Sequence, residues 1–76
     1  MATKPSWEER AARYLKAELK RAGVTYEELA VRLKKHGMAE TKASIAAKLG
    51  RGTFPATFFI AALVALELEG IRLEDI

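Results

Sequence analysis

The sequence predicts an all-α fold, a compact domain of four to five helices. No segment alternates apolar and polar residues with the period of two that is typical of a half-buried strand. Apolar residues recur instead at steps of three and four, and glycines follow the segments that have this pattern. The chain has 76 residues, half of them apolar, which is enough for one small core, so we expect residues 1–76 to form a single domain.

The first helix is predicted to run from Pro5 or Ser6 to Ala22. Ser6 is a favourable N-cap, and Gly23 has the position of a glycine that ends a helix. The helical spacing places six residues on one apolar stripe, namely Trp7, Ala11, Tyr14, Leu15, Leu19 and Ala22. We therefore expect Trp7 and Tyr14 to pack in the core rather than to stack on unpaired bases.

A second helix is indicated by the stretch VTYEEL. Thr25 as N-cap and Glu28 three residues later have the spacing of a capping box. Gly37 closes the helix, and the basic residues Lys34, Lys35 and His36 precede it, where they complement the helix dipole.

The stretch TKASIAAKLGRGTF, residues 41–54, predicts a third helix that begins after Thr41 and ends near Gly50 or Gly52. Ile45 and Leu49 lie one turn apart and are expected to face the core.

A fourth helix is predicted to begin at Pro55, to run to Glu67 or Glu69, and to end at Gly70. Its apolar residues point to more than one side, which is typical of a helix that is central to a core or shared with a partner. Residues 71–76 are expected to form a final short turn.

Charge is unevenly distributed along the chain. Residues 1–52 contain twelve Lys or Arg and six Asp or Glu, whereas residues 53–76 contain one Arg and four acidic residues. The first two-thirds could therefore face a polyanion, although lysine-rich helix surfaces also serve solubility alone.

Several classes of protein and site are not indicated by the sequence. There is no cysteine for a disulfide or a thiolate metal site, and the single His36 has no second histidine. The charged N-terminus does not resemble a signal peptide, and the longest uncharged run, residues 52–66, is too short to cross a bilayer. No nucleotide-binding loop or catalytic group of residues is recognisable. We expect a cytoplasmic protein that is not an enzyme and has no cofactor or metal.

Two longer stretches resemble a known family. AGVTYEELAVRL is similar to the first half of the helix-turn-helix in the lambda-repressor/Cro-like DNA-binding family, and LGRGTFPATFFIAALVALELEGIRLEDI is similar to that family's C-terminal part. The sequence also resembles a family of small uncharacterised bacterial proteins. The first resemblance covers residues 14–76 and implies double-stranded DNA binding by a bacterial transcriptional regulator, associated with the nucleoid. Leu33 and Ile45 are twelve residues apart, against about seven in that family. This difference predicts an extended turn or a longer second helix, which affects how the third helix is presented.

The third helix is the expected reading helix, with its outer residues nearest to base edges: Lys42, Ala43, Ser44, Ala47 and Lys48. It has no asparagine or glutamine for bidentate base contacts, so phosphate contacts and DNA shape are expected to dominate. The expected phosphate contacts are Thr25, Tyr26, Lys34, Lys35 and Arg51. The alternative is a packing helix whose alanines permit close approach.

The apolar fourth helix predicts a homodimer, since an exposed apolar helix face usually marks association. The expected contact residues are Phe58, Phe59, Ile60, Leu63, Val64 and Leu66. An alternative function is a protein–protein adaptor that docks a partner through this helix. RNA binding is less favoured, because few exposed aromatic residues are expected.

Overall fold

A computed structural model describes residues 5–76, and in this part of the chain the fold is all-helical, as predicted. No helix in these residues is long and apolar enough to cross a membrane. α2 packs against both α3 and α4, and α1 packs across α3 and α4. The chain forms four α-helices and a C-terminal 3₁₀-helix: α1 (Trp7–Ala22), α2 (Tyr26–Lys35), α3 (Lys42–Arg51), α4 (Ala56–Ala65) and Leu73–Asp75.

One apolar cluster joins all four helices. The largest of its side chains exclude water almost completely, because each helix contributes the leucines, isoleucine or phenylalanine of one face. These side chains are Leu15, Leu29, Leu33, Ile45, Leu49 and Phe58. The core thus confirms the inward faces that the helical spacing predicts for α3 and for the middle of α1.

Both ends of the predicted stripe on α1 differ from expectation. Trp7 is 70% exposed and lies outside the core cluster, and Ala22 is exposed too. The guanidinium of Arg10 covers the Trp7 ring at 4.0 Å from its centroid. The prediction that Trp7 packs in the core was wrong, because spacing identifies the face of a helix but not where along its length the core ends.

The helix N-termini have side-chain caps of two kinds. Ser6 forms a reciprocal capping box with Glu9, and Thr41 forms one with Ser44. Thr25 accepts a hydrogen bond from the backbone N–H of Glu28, but the Glu28 carboxylate does not return it. The capping box predicted for α2 is therefore only half formed.

The carboxylate of Glu28 instead binds Arg32, at 2.8 Å. Arg32 also donates a hydrogen bond of 3.1 Å to the carbonyl oxygen of Ala65, which is one of the unpaired carbonyls at the end of α4. A single arginine therefore connects the start of α2 to the end of α4.

The connection between α2 and α3 is extended, as the spacing of Leu33 and Ile45 predicts. α2 ends at Lys35, and a Schellman motif follows, in which Met38 donates its N–H to the Leu33 carbonyl. Gly37 occupies the left-handed position of this motif with φ of 82°. The additional residues thus widen the turn and do not lengthen α2.

α4 is shorter than predicted. Pro55 is its N-cap rather than its first helical residue, and the helix ends at Ala65, well before Gly70. A Schellman motif causes this early end too, because Leu68 donates its N–H to the Leu63 carbonyl. Glu67 occupies the left-handed position of the motif with φ of 63°.

Replacement of Glu67 by glycine is expected to stabilise the protein by about 1 kcal/mol, because glycine adopts a positive φ without the steric cost of a Cβ atom. This corresponds to a rise of about 4–8 °C in the melting temperature of a domain of this size. Thermal unfolding followed by circular dichroism measures the change. Glu69→Gly, at a nearby position without a positive φ, is the control and should give no gain; equal melting temperatures for Glu67→Gly and wild type would contradict the expectation.

Candidate nucleic-acid interface

The outward face of α3 is composed of small residues. Ala43, Ala46, Ala47 and Gly50 are exposed, while Ile45 and Leu49 on the opposite face are buried. Ala46 was not among the residues predicted to approach base edges, although it faces solvent with its neighbours. Because these side chains are short, the face is nearly flat, and the backbone of α3 can come close to a bound molecule.

Two predicted base-reading residues on α3 are bound within the protein. The hydroxyl of Ser44 donates a 2.6 Å hydrogen bond to Glu40 Oε1, and Lys48 Nζ lies 2.9 Å from the same oxygen. The Lys48 ammonium also lies 5.5 Å from the centroid of the Phe58 ring. Only 22% of the Lys48 side chain and 10% of the Glu40 side chain are exposed. The hydroxyl of Ser44 and the ammonium of Lys48 are thus both bound to Glu40, which leaves them fewer hydrogen bonds to offer to base edges.

Glu40 keeps its charge in this half-buried place. Burial alone would raise the pKa of Glu40, but the hydrogen bonds from Ser44 and Lys48 and the positive charge of Lys48 together lower the pKa below its ordinary value. Sequence reasoning missed Glu40, because a lone glutamate in a turn has no spacing that indicates two partners on the next helix.

Lys48→Met removes the ammonium and leaves the Glu40 carboxylate half-buried without its cation. We expect a loss of about 1–3 kcal/mol in the free energy of unfolding at pH 7. A depressed folded-state pKa stabilises the fold above the ordinary value of 4.5 and loses that contribution as the pH falls through the folded-state pKa. The difference between variant and wild type should therefore shrink as Glu40 becomes protonated.

Urea unfolding at a series of pH values measures this loss. Lys42→Met is the matched control, since Lys42 is on the same helix, is exposed and has no ion pair in residues 5–76. A Lys48→Met protein that is as stable as Lys42→Met at pH 7 would contradict the role assigned to the Glu40 pair.

The basic residues predicted to contact phosphates remain at the surface. Lys34 and Lys35 end α2 and Arg51 ends α3, and all three are exposed; Lys42, which was predicted to lie near base edges, begins α3 and is exposed too. None of them forms an ion pair within the described part of the chain. Arg51 donates a hydrogen bond of 3.0 Å from Nε to the Thr53 hydroxyl, which orients its guanidinium without neutralising it.

The two remaining phosphate candidates open α2. The Thr25 hydroxyl is exposed and accepts the Glu28 N–H as the helix cap. Tyr26 is half-buried and its ring packs against the apolar core. Thr25 therefore has a structural role of its own, and Tyr26 presents only part of its side chain to solvent.

The residues predicted to contact a partner divide between the core and the surface. Phe58 is 1% exposed, and Leu63 and Leu66 are 8% exposed, so these three pack inside the protein. Phe59 is half-buried, and its ring lies 6.1 Å from that of Phe54. Within this set, only Ile60 and Val64, 59% and 48% exposed, lie at the surface. The predicted docking surface is thus narrower than the sequence indicates, because α2 and α1 cover the other sides of α4.

Comparison with known proteins identifies one family. Residues 7–71 match the family described as "Domain of unknown function (DUF6471)". The match covers all four α-helices and extends through the turn after α4 to Ile71. No curated protein and no solved structure matches the chain.

Proposed function

The chain belongs to the DUF6471 family, and we propose that it binds double-stranded DNA as a homodimer and regulates transcription, in the cytoplasm and associated with the nucleoid. In this proposal the outer face of α3 lies in the major groove. Lys42 and the alanines approach base edges, while Lys34, Lys35 and Arg51 contact phosphates.

The distribution of charge after internal pairing is the observation that carries the proposal. Between Val24 and Gly52, Glu28 binds Arg32 and Glu40 binds Lys48, so those charges compensate one another. The charges that remain are the four exposed basic residues of the interface, Lys34, Lys35, Lys42 and Arg51, against one carboxylate, Glu27. A surface with such an excess attracts a polyanion.

The N-terminus of α3 supports the same assignment. The first turns of α1 and α2 contain two glutamates each, whereas the first turn of α3 contains no acidic residue and begins with Lys42. A lysine at this position opposes the helix dipole, so the arrangement disfavours the isolated helix and favours an external anion. Glu40 precedes the helix, but Lys48 pairs its charge.

The small residues on the face of α3 define what kind of recognition to expect. Alanine contacts thymine methyl groups, but it cannot donate or accept hydrogen bonds with base edges. Since Ser44 and Lys48 are engaged by Glu40, we expect modest discrimination between sequences and a large contribution from phosphates and groove shape.

A salt-dependent titration tests the proposal. Fluorescence anisotropy with a labelled mixed-sequence duplex should show binding at low salt, and affinity should fall as salt rises, with a slope of about −0.9 per phosphate contact. The double variant Lys34→Ala/Arg51→Ala, which removes two of the proposed phosphate contacts, should flatten this slope by about two contacts. Lys16→Ala/Lys20→Ala, on the exposed side of α1, is the matched control and should leave the slope unchanged. Absence of binding at micromolar protein in low salt would reject the proposal.

A protein–protein adaptor is the second candidate, and the exposure of Ile60 and Val64 favours it. The engagement of Ser44 and Lys48 by Glu40 is also compatible with a helix that reads no bases. An adaptor would ignore DNA and lose its protein partner on Val64→Asp while remaining folded. Binding of duplex DNA by the wild-type protein would favour the first proposal.

A further inference from the structure

A groove of about 830 Å³ separates α1 from the segment that follows α4. Its α1 wall contains Arg13 and Arg21, both exposed, and its other wall contains Arg72 and Asp75. Arg10 closes one end, because it donates hydrogen bonds of 3.1 and 2.6 Å from Nε and Nη2 to the carbonyl oxygen of Ile76. The C-terminal segment is thereby held against α1, and the arginine-rich wall remains open to solvent.

A second groove, of about 250 Å³, lies on the other side of the same segment, against α4. Its lining is mainly apolar, with contributions from Phe59, Leu63 and Val64. Leu68, Gly70 and Ile71 line both grooves. Basic and apolar depressions are therefore neighbours on one face of the protein, which we name the tail face: the lining of both grooves together with the adjoining residues 69–76.

Exposed apolar side chains are concentrated beside these depressions. Five large apolar residues in the described chain are conspicuously exposed, and three of them belong to or adjoin the tail face. Leu73 is the most exposed of all, at 78%, and Ile60 and Val64 line the apolar groove. Exposed apolar side chains around an apolar groove usually mark an interaction site.

The tail face also presents charges of both signs that have no ion pair in residues 5–76: Arg13 on α1, and Glu69 and Asp75 on the segment after α4. Arg21 is paired with Glu18 at 2.9 Å, and Arg72 is paired with Glu74 at 2.7 Å. The face therefore has a projecting apolar residue and an apolar groove, together with basic and acidic side chains.

We infer that the tail face is the contact surface of a two-fold symmetric homodimer, in which Leu73 of each copy packs on the apolar groove of the other, and Glu69 and Asp75 of each copy face Arg13 of the other. A two-fold interface uses the same patch on both copies, so the patch must contain both members of each complementary pair. The tail face meets this requirement, because it contains a projecting apolar residue and an apolar groove as well as basic and acidic side chains. A face that binds an unrelated partner needs only one member of each complementary pair.

The required area is within reach of this protein. A standard stable interface buries about 800 Å² on each partner, which is about one-seventh of the accessible surface of 5447 Å². This inference rests on the proposed function for its expectation of a dimer, but it assigns that dimer to a face that contains none of the basic residues proposed to contact DNA.

Sedimentation equilibrium of the full chain without DNA tests the assignment. We expect wild type to be dimeric at about 100 μM, where even a micromolar dimer is well populated, and Leu73→Asp and Val64→Asp to be monomeric. Val31→Asp is the matched control, because Val31 is 55% exposed and lines neither groove. It should remain dimeric, and circular dichroism should show all three variants folded.

Three results would overturn the inference: a monomeric wild type, persistence of the dimer in both tail-face variants, or loss of the dimer in Val31→Asp. A monomeric wild type would overturn the inference even if the tail face bound an acidic peptide or another protein. A dimeric wild type with the expected variant pattern that fails to bind duplex DNA would support the inference and reject DNA binding. A monomeric wild type that binds duplex DNA would overturn the inference and support DNA binding.

Discussion

Replacement of Phe58 by alanine is expected to unfold most of the protein at room temperature. Phe58 is 1% exposed, and its ring packs edge-on against Phe54 with the Lys48 ammonium nearby. Truncation of a buried phenylalanine costs about 3–5 kcal/mol, which equals or approaches the whole stability of a domain this small. The variant should therefore show greatly reduced helical circular dichroism and no cooperative thermal transition.

Ile60→Ala is the control for Phe58→Ala. Ile60 is on the same helix but 59% exposed, so its truncation should change the free energy of unfolding by only about 0.5 kcal/mol. A stably folded Phe58→Ala protein that has merely lost self-association would show that Phe58 belongs to a docking surface after all, and the core described above would be wrong.

A negative charge at the centre of the α3 face should have the largest effect on DNA binding. Ala47 is exposed and in the middle of the helix, so Ala47→Glu leaves the core and the caps unchanged. Juxtaposition of like charges in a complex costs several kcal/mol, which corresponds to a loss of about 100-fold or more in affinity for duplex DNA. Fluorescence anisotropy at low salt measures this loss.

Ala22→Glu provides the matched charge change away from α3, since Ala22 is an exposed alanine at the end of α1. It should reduce affinity only slightly, through net charge. If Ala47→Glu and Ala22→Glu bound DNA equally well, α3 would not be the contacting helix.

Local features of the sequence predicted much of the fold. Caps such as Ser6 and Thr41 and helix ends such as Gly23 involve residues close in sequence, so the residues involved can be read from the chain directly. The wide turn after α2 was also predictable, because Leu33 and Ile45 must both reach the same core. The predictions of caps and helix ends succeeded because each depends on interactions within one or two helical turns, and the wide turn was predictable because two apolar positions fix its length.

Features that depend on how helices meet were not predictable in the same way. Nothing in the fourth helix alone distinguishes Phe58, which lies on the side of α4 that packs in the core, from Ile60, which is 59% exposed. The end of α4 was misplaced because Glu67, and not a glycine, occupies the left-handed position of its Schellman motif. A glycine is the residue by which the sequence usually indicates such a helix end.

The proposed interface also contains features that the sequence predicted and features that it did not. The exposed lysines at the ends of α2 and α3 were expected from helix geometry alone. The binding of Ser44 and Lys48 to Glu40 was not, because it joins a turn residue to two positions on the following helix. This pairing agrees with the expectation that α3 contacts DNA through small residues and flanking charges more than through base-reading side chains.

Mapping a bound DNA duplex by NMR tests the central claim most directly. In ¹⁵N-resolved spectra recorded during titration with a short duplex, the largest shifts are expected for the amides of residues 42–51, with further shifts at Lys34 and Lys35. Amides on the exposed side of α1, including Lys16 and Lys20, should change little. Shifts confined to α1 or to the tail face, or no shifts with excess duplex at low salt, would contradict the account.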